Sequence, residues 1–379
     1  MKKYYICHVL DPALYSQYII DGVPQESTPA QLLESVGVQP LPERESLPEG
    51  RIVDETLDQV LGLFNLSNSK IDEYARLVNG VRRVLPVSFA GNFTSARLAS
   101  ALLEAIWCAG HFTLQDLELK AGWKWNPAPV GSNAAFYDSV RSATEYIESL
   151  GLGLRSYTYG RARRSDVAFK AVLSGSARQG DLFARPDKVR PRLSSRPACP
   201  RQLQCDPRSW LIYVPFDPAD FRLGGSLLAQ TLGLGGGVAP KLGDADYFID
   251  CYEVVRELVE DGIVMSGVSV GDGGLMQAAL RLCEGSCGAT LDLAPVVQAY
   301  EDDNLVRILF GEIPGVLLQI DDSDFDYIDA EFLLQDVAYY PIGHPSVRAT
   351  GVKVRATAST GIQNILSSLL RSGGAEGED

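Results

Sequence analysis

The stretch Gly262-Ile-Val-Met-Ser-Gly-Val-Ser-Val-Gly-Asp-Gly-Gly-Leu275 decides the architecture of this chain. Its first part is apolar and rich in β-branched residues, and it reads as a short buried strand over 263–268. Gly271-Asp-Gly-Gly274 then turns the chain, and the apolar spacing changes to that of a helix over 275–284. A strand that passes through a glycine turn into a helix is a unit of layered α/β folds.

The same alternation extends in both directions. Toward the C-terminus the spacing predicts a strand at 289–293 and ordered segments at Val306–Phe310 and Pro314–Ile320. A helix at 324–335, strands at 337–342 and 351–357, a helix at 361–371 and a polar acidic tail at 372–379 complete it. Toward the N-terminus stand a helix at 246–261, a helix at 226–232 behind Gly224-Gly225, and buried strands at 210–216 and 167–174. Earlier still come a helix at 132–150 closed by Gly151 and Gly153, a strand at 113–121, a helix at 94–109 and an alternating strand at 83–90. Helical spacing recurs at Leu57, Val60, Leu61 and Phe64 and again over 69–78. The fold class is therefore α/β (α+β). The expected divisions are a Pro-rich arm or linker at 1–53, a mixed-sheet N-terminal domain at 54–175 and a basic loop at 176–208. An α/β C-terminal domain at 209–360 and a helix with its tail at 361–379 follow.

Composition narrows the function classes. The 379 residues are 46% hydrophobic and 22% charged, which is ordinary for a globular protein. No run approaches the roughly 18–20 apolar residues that a membrane helix needs, and no secretory signal is recognised, so no membrane contact is expected. Seven irregularly spaced cysteines do not form a disulfide framework and fit a reducing, intracellular compartment. Cys199/Cys205 and Cys283/Cys287 lack zinc-finger spacing, and Cys283 and Cys287, four residues apart on an apparent helix, are expected to be free, buried thiols.

The net charge of −14 is unevenly spread. Residues 155–208 hold 13 Lys/Arg against four Asp, a net of +9, which leaves −23 on the rest. The acidic bulk argues against general nucleic-acid binding. The basic stretch, exposed and without periodicity over 177–208, is expected to contact other protein subunits, with RNA as the second candidate.

No catalytic constellation emerges from spacing. The three histidines (His8, His111, His344) make no Ser-His-Asp or Cys-His arrangement. Asp322-Ser-Asp-Phe-Asp326 fails as a calcium loop, because Tyr327 and Leu333 stand where Gly and Glu are required, and it reads as an acidic helix start. Gly233–Gly237 lacks the Lys-Ser/Thr of a phosphate loop.

Seven strings, in order, resemble the second aminoimidazole-ribonucleotide-synthetase-like half of long-chain phosphoribosylformylglycinamidine (FGAM) synthase. They are Val60-Leu61 to Ser69-Lys70, Phe112 to Asn126 around Ala121-Gly-Trp-Lys-Trp, and Phe136-Tyr137 through Leu150-Gly151. Phe221-Arg-Leu-Gly-Gly-Ser-Leu-Leu-Ala-Gln230, Gly262–Leu275, Leu309-Phe-Gly-Glu-Ile-Pro-Gly315 and Ile342-Gly-His-Pro345 complete the series. The resemblance covers about residues 55–360 and reaches neither the family's glutaminase nor its first half. That family is an ATP- and glutamine-dependent ligase of purine synthesis, and the matching half holds a nucleotide with Mg²⁺.

The resemblance also implies what has changed. The family's Glu and Asn, four residues apart on one helix and aimed at one cation, fall at Ser100 and Glu104. Its His-Asp before the glycine turn falls at Val268-Ser269, and its Lys-Asp phosphate segment is replaced by Arg155–Ala162. What remains is a vestigial turn set: Gly224, Gly225, Asp272, Gly273 and Gly274. The expectation is a catalytically degenerate copy with no catalytic residue, no metal and no cofactor, serving as a structural or interaction subunit of a larger assembly. Degenerate copies of this kind are similar to the tegument proteins of some herpesviruses. The alternative is one half of a split FGAM synthase that needs partner chains for activity.

Overall fold

The structure is a computed structural model and describes residues 11–41, 57, 61, 67–174, 192–348 and 351–355. The chain opens with a short helix α1 (Pro12–Tyr15), a two-residue hairpin β1 (Ile19–Ile20) and β2 (Val23–Pro24), and helix α2 (Pro29–Ser35). Thr28 and Gln31 form a capping box at the start of α2, with Pro29 in its first turn. Ala30, Leu32, Leu33 and Val36 are buried, and α2 lies on the later helix α5 (Ser132–Ser149).

Helices α3 (Asn68–Val78) and α4 (Ala90–Ile106) precede a three-stranded sheet. Its middle strand β3 (Leu117–Trp125) runs parallel to β4 (Gly153–Arg161) and antiparallel to β5 (Asp166–Leu173). Leu117, Leu119, Ala121, Trp123 and Trp125 are buried, and the alternate positions Glu118, Lys120, Gly122 and Lys124 point away from the core. Both indoles are satisfied inside: Trp123 Nε1 donates to Ser139 Oγ at 2.9 Å, and Trp125 Nε1 to the Ser132 carbonyl at 2.9 Å.

The second sheet has the order β11-β8-β10-β6-β9-β7. Its strands are β6 (Trp210–Pro215), β7 (Val264–Val270), β8 (Gly288–Asp292), β9 (Gly315–Ile320), β10 (Tyr340–Ser346) and β11 (Val352–Arg355). Five helices connect or cover them: α6 (Leu227–Thr231), α7 (Ala245–Glu260), α8 (Gly274–Cys283), α9 (Ala294–Tyr300) and α10 (Leu305–Phe310), and α11 (Phe325–Leu334) follows β9. Successive residues of β6 enter opposite cores. Ile212 and Val214 join α4 and α7, whereas Leu211 and Tyr213 join α8 and α10. Burial on both faces is why these strands read as continuous apolar runs. Helix α4 packs on β5, α5 and α7 and also reaches β7 and β9, so one core links the two sheets.

Several expectations need correction. Residues 11–41 are not a bare arm, because Pro29 starts a packed helix rather than breaking one. Residues 83–90 form no strand: Pro86 has no N–H, Val84 N donates to the Gln230 side chain, and Val87–Phe89 is a 3-10 turn into α4. The basic stretch is not one loop. Residues 155–173 lie mostly in β4 and β5, and 192–208 form a strap with Cys199 and Leu203 buried. Backbone bonds hold the strap: Ala198 N to Trp107 O (2.8 Å), Gly267 N to Pro200 O (3.0 Å) and Leu203 N to Leu282 O (2.7 Å). Most of the helix read near 57–64, the segment 177–191 and everything after 355 lie outside the described residues.

Candidate functional site

Two glycine turns converge beside α4. Strand β7 runs into Gly271-Asp272-Gly273, and α8 starts at Gly274. A Cβ on Gly274, where φ is +69°, would lie 2.6 Å from the Leu309 carbonyl oxygen and 2.7 Å from that of Gly311, so only glycine closes this turn. The second turn, Gly224-Gly225, leads into α6, where the Ser226 hydroxyl caps Ala229 N at 3.2 Å. Gly224 is fixed by packing: its N–H meets the Val238 carbonyl at 2.8 Å.

One side chain takes a backbone donor at the end of each turn. Glu312 Oε1 accepts from Gly273 N at 2.8 Å and from Leu227 N at 2.9 Å. Converging backbone N–H groups make an anion site, and the anion here is the chain's own carboxylate. Its other oxygen is ion-paired with Arg83 Nη2. Arg83 Nε also meets Asp272 Oδ1 at 3.2 Å, and Arg97 Nη2 meets Asp272 Oδ2 at 3.2 Å. The Arg83 guanidinium lies over the Phe93 ring, 4.1 Å from its centroid. Burial lowers the Arg83 pKa to about 10 against the opposing pull of Asp272, which leaves it cationic at neutral pH. The space left among Phe93, Arg97, Ser100, Asp272 and Glu312 is about 10 Å³. That is near the minimum for a single water, whereas small-molecule sites run to roughly 300–1,000 Å³.

Ser100 and Glu104 share a face of α4 but not a target. The Ser100 hydroxyl turns back to the Ala96 carbonyl at 2.8 Å. Glu104 Oε1 accepts from the Ser269 hydroxyl at 2.8 Å, and its Oε2 pairs with Arg201 Nη1 of the strap at 2.8 Å. Trp107 Nε1 donates to the same Ser269 oxygen at 2.8 Å. Arg281 Nη2 donates to the Ser269 carbonyl at 2.8 Å, and burial lowers the Arg281 pKa.

The structure thus gathers Ser100, Glu104, Ser269, Asp272, Gly273, Gly274 and Gly225 around the end of β7. Among the described residues no three His, Cys, Asp or Glu side chains are grouped to hold a metal ion. The sequence reading missed Arg83, Arg97 and Glu312. Arg83 falls in the stretch whose alternation predicts a strand, and Glu312 lies inside the Leu309–Gly315 string. A larger cleft of about 300 Å³ lies near the start of α4, lined by Asn92, Ser95, Asp138, Glu145 and Lys241, and contains none of the expected residues.

Comparison with known proteins places the chain's fold and sequence beside a purine-synthesis family. Residues 216–328 match the AIR synthase related protein, C-terminal domain. The human phosphoribosylformylglycinamidine synthase is 24% identical over 247 residues, 65% of this chain and 18% of that protein. The probable chloroplastic/mitochondrial synthase of Arabidopsis thaliana is 27% identical over 260 residues, 66% of this chain and 17% of that protein. Among solved structures, Thermotoga maritima PurL complexed with FGAR superposes with a TM-score of 0.51 at 14% identity, covering 72% of this chain and 43% of that one. The chain therefore spans under a fifth of each of these two synthases, and the structural likeness concerns the fold.

Proposed function

Because this chain is an FGAM-synthase-like protein of the AIR-synthase type, we propose that it has lost the nucleotide chemistry of that fold and works as an interaction subunit. One observation carries the reading: the Glu312 carboxylate takes one backbone donor at the end of each glycine turn, Gly273 N and Leu227 N, and Arg83 and Arg97 crowd the space beside it. A polyphosphate would have to displace a carboxylate already hydrogen-bonded and ion-paired in a dry setting, which is costly.

The partner face is the outward side of the three-stranded sheet. Lys120, Lys124 and Lys170 are exposed there, and among the described residues none has an ion-pair partner. Lys120 stands directly opposite Lys170, an arrangement that costs stability and that an acidic protein surface relieves. Arg163 and Arg164, both exposed, add positive charge at the end of the sheet, where Arg161 is paired with Asp11.

The test is to denature the purified protein, quantify released nucleotides, and identify co-purifying proteins by mass spectrometry. The expected result is no stoichiometric nucleotide and a defined protein partner. Stoichiometric ADP or ATP overturns the proposal. The retained glycine turns favour one other reading, a half of a split synthase. Ligase activity appearing when chains that supply the rest of the synthase are added back would establish that reading instead.

A further inference from the structure

Three cysteines lie near the C-terminal end of α8, away from the turns, two of them in contact with one serine. Cys283 ends that helix, Cys287 immediately precedes β8, and Cys205 comes across from the strap 192–208. The Ser286 hydroxyl oxygen lies between two of the sulfurs, 3.5 Å from Cys205 Sγ and 4.0 Å from Cys287 Sγ. The same hydroxyl donates to the Leu203 carbonyl, and Leu203 N donates to the Leu282 carbonyl at 2.7 Å. The strap is thus registered against the helix end at residue 203, and Cys205 and Cys287 share the Ser286 hydroxyl. Cys205 is exposed, whereas Cys283 and Cys287 are buried.

The three thiols differ in readiness. The neighbouring Cys287 thiol, then the Ser286 hydroxyl, hold Cys205 below the usual thiol range. Burial raises Cys287 and pushes Cys283 up to about 12, and burial likewise raises Cys108, Cys199 and Cys251. An exposed thiol whose pKa is lowered, sharing a hydroxyl contact with a second thiol, is the arrangement of an attacking and a resolving cysteine.

We propose that Cys205 and Cys287 are a hydroperoxide-reactive pair that closes into a disulfide and fastens the strap to the start of β8. The Cys205 thiolate attacks one peroxide oxygen, and the O–O bond breaks. The other oxygen leaves with a proton as water or an alcohol, and Cys205 becomes a sulfenic acid. Cys287 sulfur then attacks Cys205 sulfur, and the S–O bond breaks as the S–S bond forms. The departing hydroxyl takes the Cys287 proton and leaves as water. Two thiols lose two electrons and the peroxide gains them. Ser286 is unchanged and serves as a positioning residue through its contact with both sulfurs. Because the strap also carries Arg201, the Glu104 partner, oxidation joins α8, the strap and α4 into one restrained unit. The inference is independent of the proposed function.

The test uses the full chain treated with one equivalent of hydrogen peroxide, blocked by alkylation and digested with trypsin and a glutamate-specific protease. Cleavage after Glu284 separates Cys283 from Cys287, so the cross-link can be assigned by mass spectrometry. The expected result is a Cys205–Cys287 cross-link, reversed by dithiothreitol, lost in Cys205→Ser and retained in Cys283→Ser. Circular dichroism of Cys205→Ser, an exposed position, checks that the fold is intact. The proposal is overturned if Cys205 advances to sulfinic acid while Cys287 remains alkylated. It is also overturned if a different pair forms the main cross-link, or if the buried thiols oxidise as fast as Cys205.

Discussion

The two halves of the site hold ion pairs of the same chemistry in different surroundings. In the Arg83–Glu312 pair the side chains are 1% and 4% exposed, and in the Glu104–Arg201 pair they are 49% and 47% exposed. Charge removed from water depends wholly on its partner, because the attraction must offset a desolvation cost of several kcal/mol per ion. A pair half in water loses little when broken. The first half of the site is therefore a structural keystone, and the second is a surface contact that can be rewritten.

The contrast is most directly broken at Glu312. Glu312→Ala strips the buried Arg83 of the buried one of its two counter-ions and orphans the N–H groups of Leu227 and Gly273. The expected loss is about 3–5 kcal/mol, read as a lower urea midpoint at unchanged slope. A double-mutant cycle with Arg83→Met and Glu312→Gln sharpens the reading. The double variant should lose less than the sum of the singles, because neither charge then remains buried alone. An additive result would show that the pair is not coupled.

On the same helix, α4, apolar burial should outweigh the exposed ion pair. Leu102 and Ile106 are fully buried, so truncating either to Ala should cost about 2–5 kcal/mol. Glu104→Ala should cost no more than about 1 kcal/mol, because both it and Arg201 are half exposed. Thermal or urea unfolding of the three variants decides the matter. A large loss at Glu104 would mean that the Ser269 and Trp107 contacts make this half as structural as the other.

The difference between the halves also explains how much could be read in the sequence. Strands β6 and β9 were legible because burial on both faces leaves an unbroken apolar run, and α5 was legible because its amphipathic spacing ends at Gly151. The glycine turns were legible because few residues can adopt their backbone. Arg83 was not legible: extended backbone around Pro86 mimics strand alternation, and nothing local says that an arginine at 83 will meet a glutamate at 312. Long-range ion pairs leave no periodicity. The arm failed for a related reason, since proline both interrupts helices and opens them, and only the Thr28/Gln31 pairing separates the two cases. The strap escaped notice because its backbone bonds replace any repeating pattern of side chains.

The smallest expected effect concerns the third set of charges, the lysines of the outward sheet face, which have neither burial nor partners among the described residues. Lys120 and Lys170 are directly opposed on antiparallel strands, where like charges repel. Lys170→Glu converts the repulsion into a cross-strand ion pair and should stabilise the fold by about 0.2–1 kcal/mol. The same change should weaken capture of an acidic partner, and the wild-type complex should itself weaken as salt is raised beyond about 0.15 M, where the screening length is about 8 Å. Paired measurements of the unfolding midpoint and of partner recovery separate the two roles. A variant that becomes more stable yet loses its partner marks a face selected for binding at the expense of stability. If Lys170→Glu leaves assembly untouched at every salt concentration, the partner face lies elsewhere. If it is destabilising, the lysines make contacts that the sheet register does not reveal.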